Sequence, residues 1–185
     1  MLTYSMEIAG LKRELPICRV TDDLYIGAFI CFGDAELTVA CARELLKLVP
    51  ADSYDYMLTA EAKSIPLIYE LAKVMKMPRY VIARKSVKGY MRNPIITTVN
   101  SITNMGREQI LVVDEHDAEF IKGKKVAIID DVISTGSSIE AIEKLVRESG
   151  GEVIARAAVL AEGDAADRSD IIYLEKIPLF FHDKK

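Results

Sequence analysis

The chain has 185 residues, of which 50% are hydrophobic and 28% are charged, and its formal net charge is -4. This length suits one well-cored domain better than two, and the composition is that of a folded globular protein rather than a disordered one. The acidic balance disfavours a nucleic-acid-binding protein, which would show a basic surplus or stripe. No apolar run reaches the roughly 18 residues that a membrane span needs.

The N-terminal residues 1–15 lack the basic start, the apolar core and the cleavage site of a signal peptide, which favours a cytoplasmic location. Cys18, Cys31 and Cys41 have no metal-ligand spacing and stand among apolar neighbours. We therefore expect three reduced cysteines in the core. The two histidines are isolated in the sequence, which disfavours a histidine metal site or a catalytic triad.

Apolar spacing and turn residues predict an alternation of strands and helices along the chain. The predicted elements are a helix at 35–48 capped by Asp34, a strand at 53–59, a helix at 67–75 entered through Pro66, strands at 80–84, 109–113 and 125–130, a helix from Ser137 to Gly150, and a strand at 152–160. Residues 85–108 are predicted as a long polar loop or an exposed ribbon. The central strands are apolar throughout, which predicts an α/β fold with a mostly parallel central sheet flanked by helices.

Such sheets bind ligands beyond the carboxyl ends of their strands, and the stretch "VAIIDDVISTGSSI" lies at one of those ends. The candidate phosphate-binding residues are all small or carry a hydroxyl group. They are Ser134, Thr135, Gly136, Ser137 and Ser138. Here a strand passes into a helix, whose first N–H groups are unpaired and whose dipole is positive. The segment therefore predicts a cup for a phosphate monoester, although it has neither the Walker spacing nor the G-x-G-x-x-G pattern.

The two aspartates before this cup, Asp130 and Asp131, need partners other than the phosphate, which they would repel. Vicinal ribose hydroxyls would donate hydrogen bonds to the two carboxylates. A Mg²⁺ ion that bridges those hydroxyls to a diphosphate is another candidate partner, because Mg²⁺ prefers oxygen ligands. The alternative is an ordinary strand–turn–helix junction in which Asp131 or Ser134 is only the helix N-cap.

Positions Val126 to Ser138 resemble the phosphoribosyl pyrophosphate (PRPP) motif of type I phosphoribosyltransferases. That motif has four apolar residues, two acidic residues, two apolar residues, a small residue, Thr-Gly and two small or hydroxyl residues. The resemblance implies that Asp130 and Asp131 are catalytic and also possible Mg²⁺ ligands, and that residues 134–138 bind the 5-phosphate of PRPP.

Other segments are similar to the same family in order and spacing. Residues 59–66 resemble the loop that holds the pyrophosphate, residues 82–86 resemble a strand end that supplies basic residues, and residues 88–104 fall where the family has a flexible loop. The implied pyrophosphate-binding residues are Glu61, Ala62, Lys63, Ser64, Arg84, Lys85 and Lys88, with Tyr90 on the flexible loop. Ser64 stands where the family usually has glycine.

The resemblance implies a single phosphoribosyltransferase domain over residues 1–185. A small hood subdomain would be formed by about 1–35 and 165–185, the latter including "IIYLEKIPLFF", and a flexible loop would cover about 86–108. The implied reaction transfers phosphoribosyl from PRPP to a purine base with Mg²⁺, in a cytoplasmic homodimer that binds neither membrane nor nucleic acid.

Adenine is the favoured base, from the Glu-Ala-basic loop and the Pro-Leu-Phe-Phe tail, and xanthine or hypoxanthine/guanine is the alternative. The base would lie between the end of strand 152–160 and the hood, near Tyr25, Phe29 or Phe32, unless these aromatic residues belong to the core. A PRPP-sensing regulatory protein is a further alternative, although residues 1–49 have no basic helix-turn-helix pattern.

Overall fold

The computed structural model describes residues 2–49, 53–99 and 109–181. Within them the strands are β1 (Thr3–Ile8), β2 (Leu11–Arg19), β3 (Leu24–Gly27), β4 (Tyr56–Ala60), β5 (Val81–Ala83), β6 (Ile95–Val99), β7 (Gln109–Val113), β8 (Lys125–Ile133), β9 (Glu152–Glu162), β10 (Ile172–Ile177) and β11 (Phe180–Phe181). The helices are α1 (Ala35–Leu48), α2 (Ile65–Val74), α3 (Glu115–Ile121) and α4 (Ser137–Glu148), followed by a 3-10 helix at Gly163–Asp167. None of these helices is both long and apolar enough to cross a membrane.

A five-stranded parallel sheet in the order β10-β9-β8-β4-β5 forms the centre of the fold. In β8 the consecutive residues Val126, Ala127, Ile128 and Ile129 are all buried. Ala127 and Ile129 pack in the apolar cluster that contains α1 and α2, whereas Val126 and Ile128 pack in the cluster that contains α3 and α4. Because successive side chains of a strand face opposite sides, helices cover both faces, and the predicted α/β fold with a parallel sheet is confirmed.

The predicted helix boundaries follow local signals that the structure retains. Asp34 caps α1 by accepting a hydrogen bond from the backbone N–H of Leu37 at 3.0 Å. Pro66 lies in the first turn of α2, where its missing N–H costs nothing. Helix α4 ends just before Gly150, which has a φ of +78°. These three helices are therefore explained by residues close to their ends.

The N-terminal residues form a separate antiparallel sheet in the order β1-β2-β3-β11. Ala9 and Gly10 connect β1 to β2, and both have positive φ, at 50° and 78°. Positive φ at both central residues is the geometry of a type I′ hairpin turn. Alanine is uncommon in that geometry, which is why the hairpin was not predicted from the sequence. The inner face of this sheet buries Ile8 and Leu15 against the first apolar cluster.

Strand β8 extends to Ile133, whereas the sequence predicted that it ends at residue 130. The neighbouring β9 is also longer than predicted, and it pairs with the added residues through Val132–Leu160 and Ile133–Ala161. Asp130 and Asp131 consequently lie inside the strand instead of at its end, and pairing with β9 on both sides of them holds their backbone in place.

The segment predicted as a polar loop or a ribbon contains strand β6, which pairs antiparallel with β7 in a two-stranded sheet. Thus β7 belongs to this ribbon and not to the central sheet. The remaining part of the segment, 100–108, lies outside the described residues. Helix α3, which was not predicted, follows β7 directly and is capped by Asp114.

The C-terminal residues 165–185, predicted to complete the hood, divide between the two larger sheets. Strand β10 adds to the edge of the central sheet beside β9, and β11 pairs with β3 in the N-terminal antiparallel sheet. Residues 182–185 lie outside the described part of the chain. The tail therefore joins the N-terminal sheet only at its last described strand.

The prediction of three core cysteines is wrong for one of them. Cys31 and Cys41 are buried, whereas Cys18 on β2 is exposed. The cause is the alternation of β2, in which Leu15 faces the core and Cys18, an odd number of positions along, faces outward. Burial raises the pKa of Cys31 and of Cys41 to about 12.

Candidate active site

The carboxyl ends of β4 and β8 are adjacent in the parallel sheet, and they bring Lys63 and Ser64 to the two aspartates. The hydroxyl of Ser64 donates to Oδ1 of Asp130 at 2.9 Å, and Nζ of Lys63 lies 2.8 Å from Oδ2 of Asp131. Asp131 is only 3% exposed, so its charge is balanced mainly by the lysine. The serine that replaces the family's usual glycine is thus a direct partner of the carboxylates.

The ionisation of this cluster depends on its burial. Burial raises the pKa of Asp130, and the neighbouring negative charge of Asp131 raises it further. Burial disfavours the charged form of Lys63, but the charges of Asp131 and Asp130 outweigh that effect and raise the pKa of Lys63. Lys63 therefore remains a cation, whereas Asp130 keeps its proton to a higher pH than an ordinary aspartate does.

A cavity of about 140 Å³ opens beside this cluster. Its lining includes the residues Glu61, Ala62, Lys63, Ser64, Lys85, Val99, Gln109, Leu111, Asp130, Asp131 and Ser138. We call residues 61–64 the basic turn; its first peptide bond, between Glu61 and Ala62, is cis. The buried thiol of Cys31 donates to the carbonyl oxygen of Lys63 at 3.2 Å and so contacts the turn from the core side. The whole basic turn and both aspartates therefore share one cavity.

The other predicted basic residues lie next to the cavity, although only Lys85 lines it. Glu61 accepts a hydrogen bond from the backbone N–H of Lys85 at 3.0 Å, and its carboxylate lies 3.2 Å from Nε of Arg84. That backbone hydrogen bond and the Arg84 charge lower the pKa of Glu61. Arg84 also donates to the hydroxyl of Tyr90 at 3.1 Å, and Lys88 donates to Ser86 at 2.6 Å. Arg84, Lys88 and Tyr90 are therefore held on the outer side of the basic turn.

Residues 134–138, which we call the hydroxyl loop, connect β8 to α4. Gly136 is the N-cap of α4 and has a φ of +82°, a conformation that side chains disfavour. Neither Asp131 nor Ser134 caps this helix, so the alternative that made one of them its N-cap is wrong. Glycine offers no side chain to the first N–H groups of the helix, and Thr135 and Ser137 have hydroxyl oxygens 3.0 Å apart at the same end. The loop therefore offers hydroxyls and backbone N–H groups to an anion.

A second cavity, of about 520 Å³, lies between the hydroxyl loop and the N-terminal sheet. Its lining residues are Arg19, Val20, Leu24, Ile26, Ser134, Thr135, Glu162, Asp164 and Leu179. The aromatic residues predicted near the base do not line it. Phe29 is buried in the core, and Tyr25 alternates with Leu24 and Ile26 along β3 and so faces the other side of the sheet.

Glu162 was missed from the sequence as a candidate site residue. It ends the apolar strand β9, as Asp130 and Asp131 follow the apolar half of β8. The same signal, a charged residue at the carboxyl end of an apolar parallel strand, would have identified it.

The family model for the phosphoribosyl transferase domain matches residues 41–180. An adenine phosphoribosyltransferase of Clostridium botulinum (strain Alaska E43 / Type E3) is 37% identical over 155 residues, which are 82% of this chain and 84% of that protein. A hypoxanthine/guanine phosphoribosyltransferase of Methanotorris igneus is 32% identical over 126 residues, which are 66% of this chain and 62% of that protein. The chain thus spans less than two thirds of the length of the second relative.

Solved structures have the same fold. The adenine phosphoribosyltransferase of Rhodothermus marinus aligns with a TM-score of 0.64 at 19% identity, covering 94% of this chain and 93% of that one. The enzyme of the same name from Thermoanaerobacter pseudethanolicus aligns with a TM-score of 0.63 at 22% identity, covering 78% and 83%. The family match covers most of the chain, including both aspartates, the basic turn and the hydroxyl loop, and the chain therefore belongs to the phosphoribosyl transferase domain family.

Proposed function

We propose that this protein is a purine phosphoribosyltransferase that transfers phosphoribosyl from PRPP to adenine, giving the nucleoside monophosphate and pyrophosphate. The observation that carries the proposal is the contact between the basic turn and the carboxylate pair, in which Lys63 lies 2.8 Å from Asp131. A cation for a leaving diphosphate and carboxylates for a ribose are thereby adjacent, beside a loop suited to a phosphate. The adenine and hypoxanthine/guanine relatives support a purine as the acceptor.

In this proposal the hydroxyl loop holds the 5-phosphate of PRPP. Ser134, Thr135, Ser137 and Ser138 donate from their hydroxyls, and the backbone near Gly136 approaches the phosphate closely. The positive end of the α4 dipole adds to the attraction, an effect typically worth about 0.3–1 kcal/mol. The phosphate anchors the substrate so that its ribose extends toward Asp130 and Asp131.

Asp130 and Asp131 accept hydrogen bonds from the ribose hydroxyls. As the bond to pyrophosphate breaks, the ribose ring gains positive charge, and these carboxylates stabilise that charge through space. Lys63 and Lys85 stabilise the negative charge that grows on the departing diphosphate, together with the backbone of Glu61, Ala62 and Ser64. Arg84 and Lys88 extend this positive surface.

The residues fit a Mg²⁺ ion that arrives with the diphosphate. Asp130 and Asp131 offer the oxygen ligands that Mg²⁺ prefers, and Mg²⁺ keeps several waters and takes further ligands from phosphates. Lys63 already balances Asp131, so the substrate and water would supply most of the coordination. When bound, Mg²⁺ neutralises charge on the leaving diphosphate.

Two further parts of the chain complete the proposal. The N-terminal antiparallel sheet with the C-terminal tail acts as the hood over the base, and residues 86–108 form a loop that excludes water, which would otherwise hydrolyse PRPP. Support for the loop comes from its position, since Val99 within it and Gln109 just past its last residue both line the cavity at the aspartates. We also propose a homodimer, which light scattering of the purified protein would test.

A PRPP-dependent assay with adenine, hypoxanthine, guanine, xanthine and orotate in parallel tests the proposed function. We expect pyrophosphate release with adenine in excess of the other four bases. Preference for hypoxanthine or guanine would instead favour the activity named for the Methanotorris relative. PRPP binding without turnover of any base would overturn the enzymatic proposal and favour a regulatory protein.

A further inference from the structure

Glu162 is a buried acid whose role the reaction described above does not explain. It is 8% exposed and lines the second cavity together with the apolar side chains of Leu24, Ile26 and Leu179. Within residues 2–49, 53–99 and 109–181 its carboxyl group has no hydrogen-bond or ion-pair partner, and the only charge found to act on it is that of Lys63. Because Glu162 lines the cavity and no described residue pairs with its carboxyl group, that group is available to hydrogen-bond a ligand in the cavity.

The other charged groups of this cavity leave Glu162 unneutralised. Arg19 is the only cation among the lining residues, but its Nε donates to the carbonyl oxygen of Thr21 at 3.0 Å and its guanidinium pairs with Asp22. Asp164, the second acid of the lining, is exposed, so water screens its charge. Away from the hydroxyls of Ser134 and Thr135, the polar side of the cavity therefore offers carboxyl oxygens that accept hydrogen bonds.

The second cavity lies directly beside the hydroxyl loop. Ser134 and Thr135 line it from one side and the N-terminal sheet from the other. A nucleoside monophosphate whose phosphate lies at the hydroxyl loop would extend its base toward these walls. Apolar walls with a few polar groups are typical of small-molecule sites, and Leu24, Ile26 and Leu179 would contact the faces of a planar base.

We propose that Glu162 is the residue that selects the base, by accepting a hydrogen bond from the exocyclic amino group at C6 of the purine. This inference rests on the proposed function and names its specificity determinant. A 6-oxopurine would bring its carbonyl oxygen against the carboxyl oxygens of Glu162, so that two acceptors face each other and neither is satisfied. Unpaired buried polar groups are what allow such a site to reject a close analogue.

The ionisation of Glu162 is compatible with this role. Burial raises the pKa of Glu162, which the charge of Lys63 offsets only in part. A carboxylate accepts from the amine through either oxygen, and a protonated carboxyl group still accepts through one oxygen while donating to a ring nitrogen. The carboxylate form is the one that discriminates at C6, because a protonated carboxyl group would donate to the oxygen of a 6-oxopurine, and the charge of Lys63 favours the carboxylate.

The test is Glu162→Gln, which keeps the shape of the side chain but adds an amide donor that pairs with a 6-oxo group. We expect the ratio of kcat/KM for adenine to kcat/KM for hypoxanthine to fall by about 10- to 100-fold, the range for a hydrogen bond to a charged group. Glu175→Gln, on the exposed surface of β10, is the matched control and should leave the ratio unchanged. PRPP affinity should be the same in all three proteins.

A second measurement separates this inference from the proposed function. Titration calorimetry with AMP, IMP and ribose 5-phosphate should show that Glu162→Gln weakens AMP binding and leaves ribose 5-phosphate unaffected. If Glu162→Gln transfers at the wild-type rate with an unchanged ratio of the two bases, the role of Glu162 alone is overturned. The same holds if the variant loses kcat/KM equally for adenine and for hypoxanthine. A greater loss with guanine than with adenine would overturn the choice of the C6 amine. A wild-type protein that binds none of these ligands would overturn both proposals.

Discussion

Gly136 and Arg168 are in such close contact that a β-carbon added to Gly136 would lie 2.5 Å from Nη1 of the arginine. Arg168 does not move aside freely, because Asp170 holds its guanidinium through two hydrogen bonds at 2.9 and 2.8 Å. A side chain at Gly136 is therefore disfavoured mainly by the positive φ, and it would also have to displace the Arg168 guanidinium from Asp170.

This contact predicts that Gly136→Val weakens PRPP binding strongly. A β-branched residue at a φ of +82° costs about 1–3 kcal/mol, and the displaced turn would no longer present its N–H groups to a phosphate. Titration calorimetry with PRPP and Mg²⁺ measures the change. Gly123→Ala is the control, because Gly123 also has a positive φ, of 71°, but lies at the end of α3. An unchanged dissociation constant in Gly136→Val would mean that the phosphate binds elsewhere.

The double variant Asp130→Asn with Asp131→Asn should abolish transfer while the protein stays folded. Removing two like charges relieves their repulsion, and Lys63, which is 47% exposed in its side chain, can be solvated without Asp131. Circular dichroism and thermal unfolding check the fold, and pyrophosphate release checks activity. Full activity in a folded double variant would rule out the assignment of these residues to ribose and metal.

The raised pKa of Asp130 predicts how stability changes with pH. Its pKa rises from 3.8 to about 7 on folding, so the unfolded chain loses this proton first as the pH increases. The contribution of Asp130 to the free energy of unfolding is therefore fully present below about pH 4 and is lost progressively up to about pH 7. Urea unfolding at several pH values should show that Asp130→Asn gains stability relative to wild type over this range. A difference between the two proteins that does not vary with pH would contradict the shift.

Hydrogen exchange tests the loop predicted at residues 86–108. We expect residues 86–94 to exchange rapidly in the free protein and to become protected when PRPP and a purine mimic are bound, with Lys88 and Tyr90 near the diphosphate. The competing prediction is a rigid ribbon built on β6 that serves mainly a dimer interface. Slow exchange across 86–94 that ligand does not alter would favour the ribbon and remove the loop from the mechanism.

The parts of the site that were predictable from the sequence depend on short stretches of chain. Asp34 before α1 and Gly150 after α4 act within one turn of their helices. The motif at Val126–Ser138 likewise contains both its strand and its helix start. Such features need no knowledge of distant residues, which is why the α/β fold was predicted correctly.

The features that were not predictable depend on partners far along the chain. The extra length of β8 comes from pairing with β9, and the role of Ser64 as a donor to Asp130 comes from the neighbouring ends of β4 and β8. Glu162 acquires its environment from Leu24 and Ile26, which belong to an N-terminal sheet whose hairpin has an uncommon turn sequence. These contacts are set by tertiary packing, which no local pattern contains.

The different burial of the three cysteines makes the natural protein suitable for site-specific labelling. Cys31 and Cys41 are buried thiols whose raised pKa keeps them protonated at neutral pH, and only the thiolate form of a cysteine attacks a thiol-reactive dye. Cys18 is the exposed thiol of the three, and it lies on β2, in the sheet that borders the second cavity. A maleimide fluorophore should therefore attach at Cys18 without any cysteine being replaced, and would report from the sheet proposed to cover the base.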